Sequence, residues 1–130
     1  MPKNLINNLI HPELSYQLVG ILFDVYNTIG PGFQEKYYYR AIREAFKIKN
    51  IKFKEQLFIP LKYGDVSIGR YYIDFIVEDK IALEIKKGDK FTKTNIEQLY
   101  AYLKATNLKL GILVNFTSDG IKFKRIVNLN

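Results

Sequence analysis

The chain is expected to fold as one α/β domain with a central mixed β-sheet flanked by helices, and three observations predict this. Two stretches with helical apolar spacing precede three short segments rich in β-branched and aromatic residues. A third helical stretch then leads into a continuous apolar run, Leu110 to Phe116, of the kind a strand covered on both faces requires. Finally, 130 residues of which 48% are hydrophobic can bury one core but not two. The expected order is α-α-β-β-β-α-β-β.

Residues 1 to 11 have little periodicity and are expected to be partly ordered at best. Pro12 suits a first helical turn, and Leu14, Leu18, Ile21, Leu22, Val25 and Ile29 recur at helical spacing until Gly30-Pro31 ends the pattern. A second helix should begin near Gly32 or Phe33 and run to about Lys49, with Glu35, Tyr38, Ile42 and Ala45 on one stripe. Leu57 to Tyr63 then alternates as a strand. Pro60 cannot donate to a ladder, which marks that strand as an edge or a bulge, and Gly64-Asp65 turns the chain into the next strand. After Lys87-Gly88-Asp89-Lys90, Thr92 or Thr94 caps a third helix reaching Thr106, with Ile96, Leu99 and Leu103 buried and Gln98 and Tyr102 on a neighbouring stripe. That helix is the crossover that makes Leu110 to Phe116 parallel to the Ile81 to Lys86 strand. Ile121, Phe123 and Val127 close the chain as an edge strand whose lysines discourage edge pairing.

The centre of the chain is Arg70 to Lys87, two apolar runs around Glu78-Asp79-Lys80, which read as a β-hairpin. Alternation places Ile73, Phe75 and Val77 on one face with Ile81, Leu83 and Ile85, and Asp74, Glu84 and Lys86 on the other. A three-residue loop at 78–80 sets Asp74 opposite Glu84, Ile76 opposite Ala82 and Tyr72 opposite Lys86; a two-residue loop would break the agreement of faces. Two facing carboxylates repel unless a cation sits between them. A hard divalent ion, Mg²⁺ or Mn²⁺, suits oxygen ligands, and Lys86 can stabilise anionic charge or help activate a water. A surface hairpin with a Glu-Lys pair is the plainer alternative, against which Ile76 and Ala82 place these charges in a partly covered sheet.

Composition sets limits on the chemistry. Without cysteine and with the single His11, any metal must be held by oxygen. No basic-then-apolar leader and no run of ~20 apolar residues is present, so no membrane span is expected and the protein is expected to be cytoplasmic. The formal charge of +7 is compatible with a nucleic-acid partner, though the abundance of lysine, isoleucine and asparagine accounts for it equally well as compositional bias.

These residues also carry a resemblance. Asp74 with Glu84-x-Lys86 across a hairpin is similar to the active-site signature of the PD-(D/E)XK nuclease superfamily, with Ile73 where many members carry proline. Gly32-Phe33-Gln34-Glu35-Lys36-Tyr37-Tyr38 resembles the G-x-x-E-x-x-Y motif of the prokaryotic GxxExxY family, and Gln98-Leu99-Tyr100-Ala101-Tyr102 resembles the Q-x-x-x-Y element of RecB-like nucleases. The resemblance implies a restriction-endonuclease-like core and metal-dependent hydrolysis of phosphodiester bonds, most readily in DNA. It assigns Asp74 and Glu84, with the Ile85 carbonyl, to Mg²⁺ (or Mn²⁺), and Glu35 to the metal or its water. Lys86 would assist the nucleophile or the developing charge, Gln98 would orient Lys86 or a phosphate, and Tyr38 and Tyr102 would support the site. Glu35 is further expected to be desolvated on its stripe, within direct or one-water reach of Asp74 and Glu84, with the Tyr38 hydroxyl orienting it. The alternative reading is a catalytically inactive nucleic-acid-binding or protein-interaction module that keeps the fold, and oligomeric state is left open, a homodimer included.

Overall fold

The computed structural model describes residues 10–129. The expectation of partial order at residues 1 to 9 lies outside them; Ile10 and His11 form a bend leading into the first helix. The elements are α1 (Pro12–Ile29), α2 (Glu35–Ile48), β1 (Phe53–Tyr63), β2 (Val66–Val77), β3 (Ile81–Lys87), α3 (Lys93–Thr106), β4 (Leu110–Thr117) and β5 (Gly120–Val127). They form a five-stranded sheet in the order β1-β2-β3-β4-β5, antiparallel throughout except for the parallel pair β3–β4. This is the expected α/β architecture and element order, with Pro60 on an edge strand and α3 as the crossover.

One face of the sheet packs on α1 and α2. Leu18, Ile21, Leu22 and Val25 of α1 and Tyr38, Ile42 and Phe46 of α2 meet Phe75, Val77, Leu83, Ile85, Ile112 and Val114. The opposite face packs on α3 through Leu99, Tyr102 and Leu103 against Ile76, Ala82 and Leu113. All eight residues of β4 are buried, because that strand is covered from both sides. Thr92 caps α3 by accepting from the Asn95 N–H at 3.0 Å.

Helix α2 starts at Glu35, later than the expected Gly32 or Phe33. Gly32 takes a left-handed φ of 91° and Gln34 is extended, so the chain cannot yet be helical there. Tyr38 holds this connection: its hydroxyl donates to the Gly30 carbonyl at 2.7 Å and accepts from the Phe33 N–H at 3.4 Å, and its ring stacks on Phe116 at 4.1 Å. The expected role of the Tyr38 hydroxyl as an orienter of Glu35 is therefore replaced by one in stapling the α1–α2 turn.

The central hairpin departs from simple alternation. Its pairs Phe75↔Leu83, Ile76↔Ala82 and Val77↔Ile81 are those a three-residue loop requires, and Glu78 and Asp79 turn it with left-handed φ values of 53° and 57°. The pairing stops there, one step short of Asp74 and Glu84, so neither Asp74–Glu84 nor Tyr72–Lys86 belongs to the ladder. Ile73 does not share a face with Phe75 and Val77 either. Together with Tyr71, Leu57 and Ile59 it packs in the α3 cluster. The cause lies next door on β1, where Gln56 has a φ of 55° and the β1–β2 ladder passes from Glu55↔Phe75 to Leu57↔Ile73 in unchanged register, leaving Gln56 and Asp74 unpaired. One left-handed residue rotates the strand pair, and the faces exchange at Gln56 and Asp74.

Candidate active site

Asp74 thus stands where two ladders are interrupted. Because β2 pulls away from β3 beyond Phe75, the next two odd-numbered N–H groups of β3 on that edge lack a strand partner, and carboxylates take them. Asp74 Oδ2 accepts from the Ile85 N–H at 2.7 Å, and Glu35 Oε1 accepts from the Lys87 N–H at 2.8 Å. Residues two apart on a strand are separated by ~6.5–7 Å, so Glu35 is brought one strand step from Asp74. The bond to Asp74 satisfies a part-buried backbone donor that has no strand partner, whereas the one to Glu35 lies in the open.

Glu84 is the buried member, 3% exposed on the α3 face. Its Oε2 accepts from the Tyr71 hydroxyl at 2.7 Å. Burial first, and then the hydrogen bond and negative charge of Asp74, push the Glu84 carboxyl up to about 9, while the Tyr71 hydroxyl and the Lys86 ammonium pull the other way. The Tyr71 phenol is in turn held well above its ordinary range by burial and by Glu84. Lys86, half-buried, lies beside Asn115 in the parallel register. Asn115 donates to the Gly88 and Lys90 carbonyls at 3.2 and 2.8 Å and so ties down the loop between β3 and α3.

The other expected site residues are placed as follows. Gln98 is half-buried on α3, and Tyr102 is buried in the α3 cluster, where burial raises its phenol. Glu35 is exposed, which overturns the expected desolvation; as the first residue of α2 it stands at a helix end rather than inside the stripe it begins. Among the described residues no three acidic or histidine side chains enclose a metal position, so the compact part of the site is the pair Asp74–Glu84. Its donors fit a hard divalent ion: two carboxylates, one buried, each accept a neutral O–H or N–H donor, and the Lys86 ammonium acts on Glu84.

Two contributors escaped sequence reasoning. Simple alternation puts Tyr71 on the face away from Glu84, and only the exchange of faces brings them together. Asn115 had a visible signal, a lone amide inside the apolar run Leu110 to Phe116. At the C-terminal ends of β3 and β4, a cavity of about 260 Å³ is lined by Gly32, Lys87, Gly88, Asp89, Phe116, Thr117 and Ser118. The same ends are where open α/β sheets collect ligands.

A sequence model of the PD-(D/E)XK nuclease superfamily matches residues 12–126. Among solved structures, the chain is similar to SSO0001, with a TM-score of 0.55 and 21% identity over 72% of this chain and 49% of that one. It is also similar to an alkaline exonuclease (LHK-Exo) from Laribacter hongkongensis, with a TM-score of 0.51 and 16% identity over 72% of this chain and 54% of that one. The chain spans about half the length of each, and at these identities the likeness is one of fold. No curated protein matches it.

Proposed function

From the premise that the chain belongs to the PD-(D/E)XK nuclease superfamily, we propose that it is a metal-dependent nuclease that hydrolyses phosphodiester bonds in nucleic acid, DNA foremost, and that it falls within the GxxExxY branch. The observation that carries the reading is the carboxylate pair with one member buried. Glu84 and Asp74 are held together at the point where the sheet opens, with Lys86 next along β3 on the Glu84 face. A fold under no other demand has little reason to bury a carboxyl beside another, since the desolvation costs several kcal/mol.

Members of the superfamily generally use divalent metal ions. Here Asp74, Glu84 and the Ile85 carbonyl would hold Mg²⁺ or Mn²⁺, with Glu35 contributing from one strand step away. When bound, such an ion supplies Lewis acidity to a phosphoryl oxygen and acidifies the attacking water. The rest falls to the chain's own groups. Tyr71 fixes the Glu84 carboxylate by donating to Oε2, and the Ile85 N–H fixes Asp74. Lys86 offers its ammonium to the negative charge that builds on the phosphoryl oxygens. Gln98, from α3, would orient Lys86 or a phosphate, and Asn115 keeps the loop behind them in place.

The test is an activity screen of purified protein on single-stranded, duplex and branched DNA and on RNA, with Mg²⁺ or Mn²⁺. Asp74→Ala and Lys86→Ala are expected to abolish cleavage while remaining folded. Equal activity in wild type and both variants would mean contamination and refute the reading. The second reading, a binding module without turnover, draws on the absence of a three-acid enclosure among the described residues. Metal titration by calorimetry separates the two: no heat with millimolar Mg²⁺ or Mn²⁺, with or without DNA, favours the module.

A further inference from the structure

The distal half of the β1–β2 hairpin reaches beyond the helices and exposes large apolar side chains: Phe58 at 47%, Tyr72 at 46%, Tyr63 at 80% and Ile68 at 68%. Phe58 and Tyr72 are direct cross-strand partners with ring centroids 5.5 Å apart, and the Arg70 guanidinium lies over the Phe58 ring at 4.6 Å. Their neighbours Leu57, Ile59, Tyr71 and Ile73 turn inward to the α3 cluster. Phe58, Tyr72 and Arg70 therefore occupy the opposite face, and Tyr72 stands two residues before Asp74 on the same strand.

We infer that this face is a stacking platform for the bases of an unpaired nucleic-acid strand, delivering the strand to Asp74. The inference rests on the nuclease reading and adds to it the form of the substrate. Aromatic rings with an arginine beside them bind any base through its π-face, and only an unpaired strand exposes that face; a duplex hides it. From Tyr72 to Asp74 is ~6.5–7 Å of strand, about one nucleotide step of an extended chain. The phosphate next to a base on Tyr72 therefore arrives beside Asp74, at the point where the faces of β2 exchange. A second copy of the chain fits the surface less well. Pro60, paired with Arg70, removes a donor from the outer edge of β1, and Arg70 and Lys62 would face like charges across a two-fold axis.

The test measures binding by fluorescence anisotropy, with chelator present so that no strand is cut. The probes are a labelled ~15-nucleotide oligothymidylate, its oligouridylate counterpart and a duplex of the same length. Wild type is expected to bind at least one of the single strands more tightly than the duplex. Phe58→Ala and Tyr72→Ala should each raise the single-strand Kd roughly tenfold, leave the duplex Kd unchanged and keep the wild-type circular dichroism. Phe58→Tyr and Tyr72→Phe should bind as wild type does, because they retain the rings. Four results overturn the platform: alanine variants that bind like wild type, aromatic replacements as weak as the alanines, a duplex preference, or a wild-type dimer that the alanine variants dissociate without any change in strand binding. Cleavage of the same oligonucleotides with Mn²⁺ is scored separately. Intact cleavage with unchanged binding in the alanine variants removes the platform and leaves the nuclease, whereas ring-dependent binding without cleavage does the reverse.

Discussion

Replacing Glu84 by glutamine should stabilise the metal-free protein, increasingly so as the pH rises. The wild-type carboxyl is 3% exposed and is pushed up from 4.5 to about 9, chiefly by burial and next by Asp74. A folded-state value above the unfolded one means that folding takes up a proton between those two values. The contribution of this group is fully present below 4.5 and is lost progressively as the pH rises toward about 9. Each pH unit within that window costs about 1.4 kcal/mol, so at about pH 7 the wild type has given up about 3 kcal/mol on this account. Glutamine does not titrate. Its amide oxygen can still accept from Tyr71 and its NH₂ can donate to Asp74, so the two hydrogen bonds survive. The assay is urea unfolding of both proteins in chelator at about pH 5, 7 and 9, where titrating groups remote from Glu84 cancel between the two curves and the difference reports Glu84 together with the groups coupled to it. The difference should be small at the acid end and grow to about 3 kcal/mol by neutrality. Adding Mg²⁺ should stabilise the wild type at neutral pH and the variant much less. Parallel curves with a constant difference would show that Glu84 titrates in the folded state as it does in the unfolded one, and the argument from burial would fall.

Glu35→Gln should leave metal-free stability within about 0.5 kcal/mol, because the side chain is exposed and the amide oxygen can still accept from the Lys87 N–H. Calorimetry should show it weakening Mg²⁺ or Mn²⁺ binding several-fold, and a variant that loses more than about 1 kcal/mol while binding metal normally would make Glu35 structural instead. Gly111→Ala should destabilise by about 1–2 kcal/mol. The added methyl meets three Leu99 side-chain atoms at 3.0, 3.1 and 3.2 Å, and Leu99 is fully buried under α3 with nowhere to go. Thermal unfolding that matches wild type would show that α3 can lift off β4 without cost.

Much of this molecule is legible one segment at a time. The helical stripe from Leu14 to Ile29 and the stops at Gly30 and Gly64 depend on contacts within a few residues. So does the cap at Thr92, and the apolar run of β4 is readable from its composition alone; structure and sequence agree at each. The loop at Glu78 to Lys80 likewise determined the register as far as Phe75↔Leu83, because turn length and pleat leave one arrangement that buries the apolar side chains.

The candidate site is different because its geometry depends on what happens across strands. Whether Tyr71 meets Glu84, and whether Ile73 sides with Phe75 or with α3, turns on a single left-handed residue, Gln56, which lies on another strand and is not a residue type that favours that conformation. Pattern reasoning assumes that alternation continues unbroken, so it could find Asp74, Glu84 and Lys86 but not the hydroxyl that holds Glu84. Glu35 shows the same limit. Its spacing placed it on a buried stripe, but the left-handed Gly32 delayed the helix so that Glu35 became its exposed first residue, and only the opened edge of β3 supplied the N–H that it accepts. Local periodicity determined which side chains are present on each element; the break in the ladder, a tertiary event, decided which of them meet.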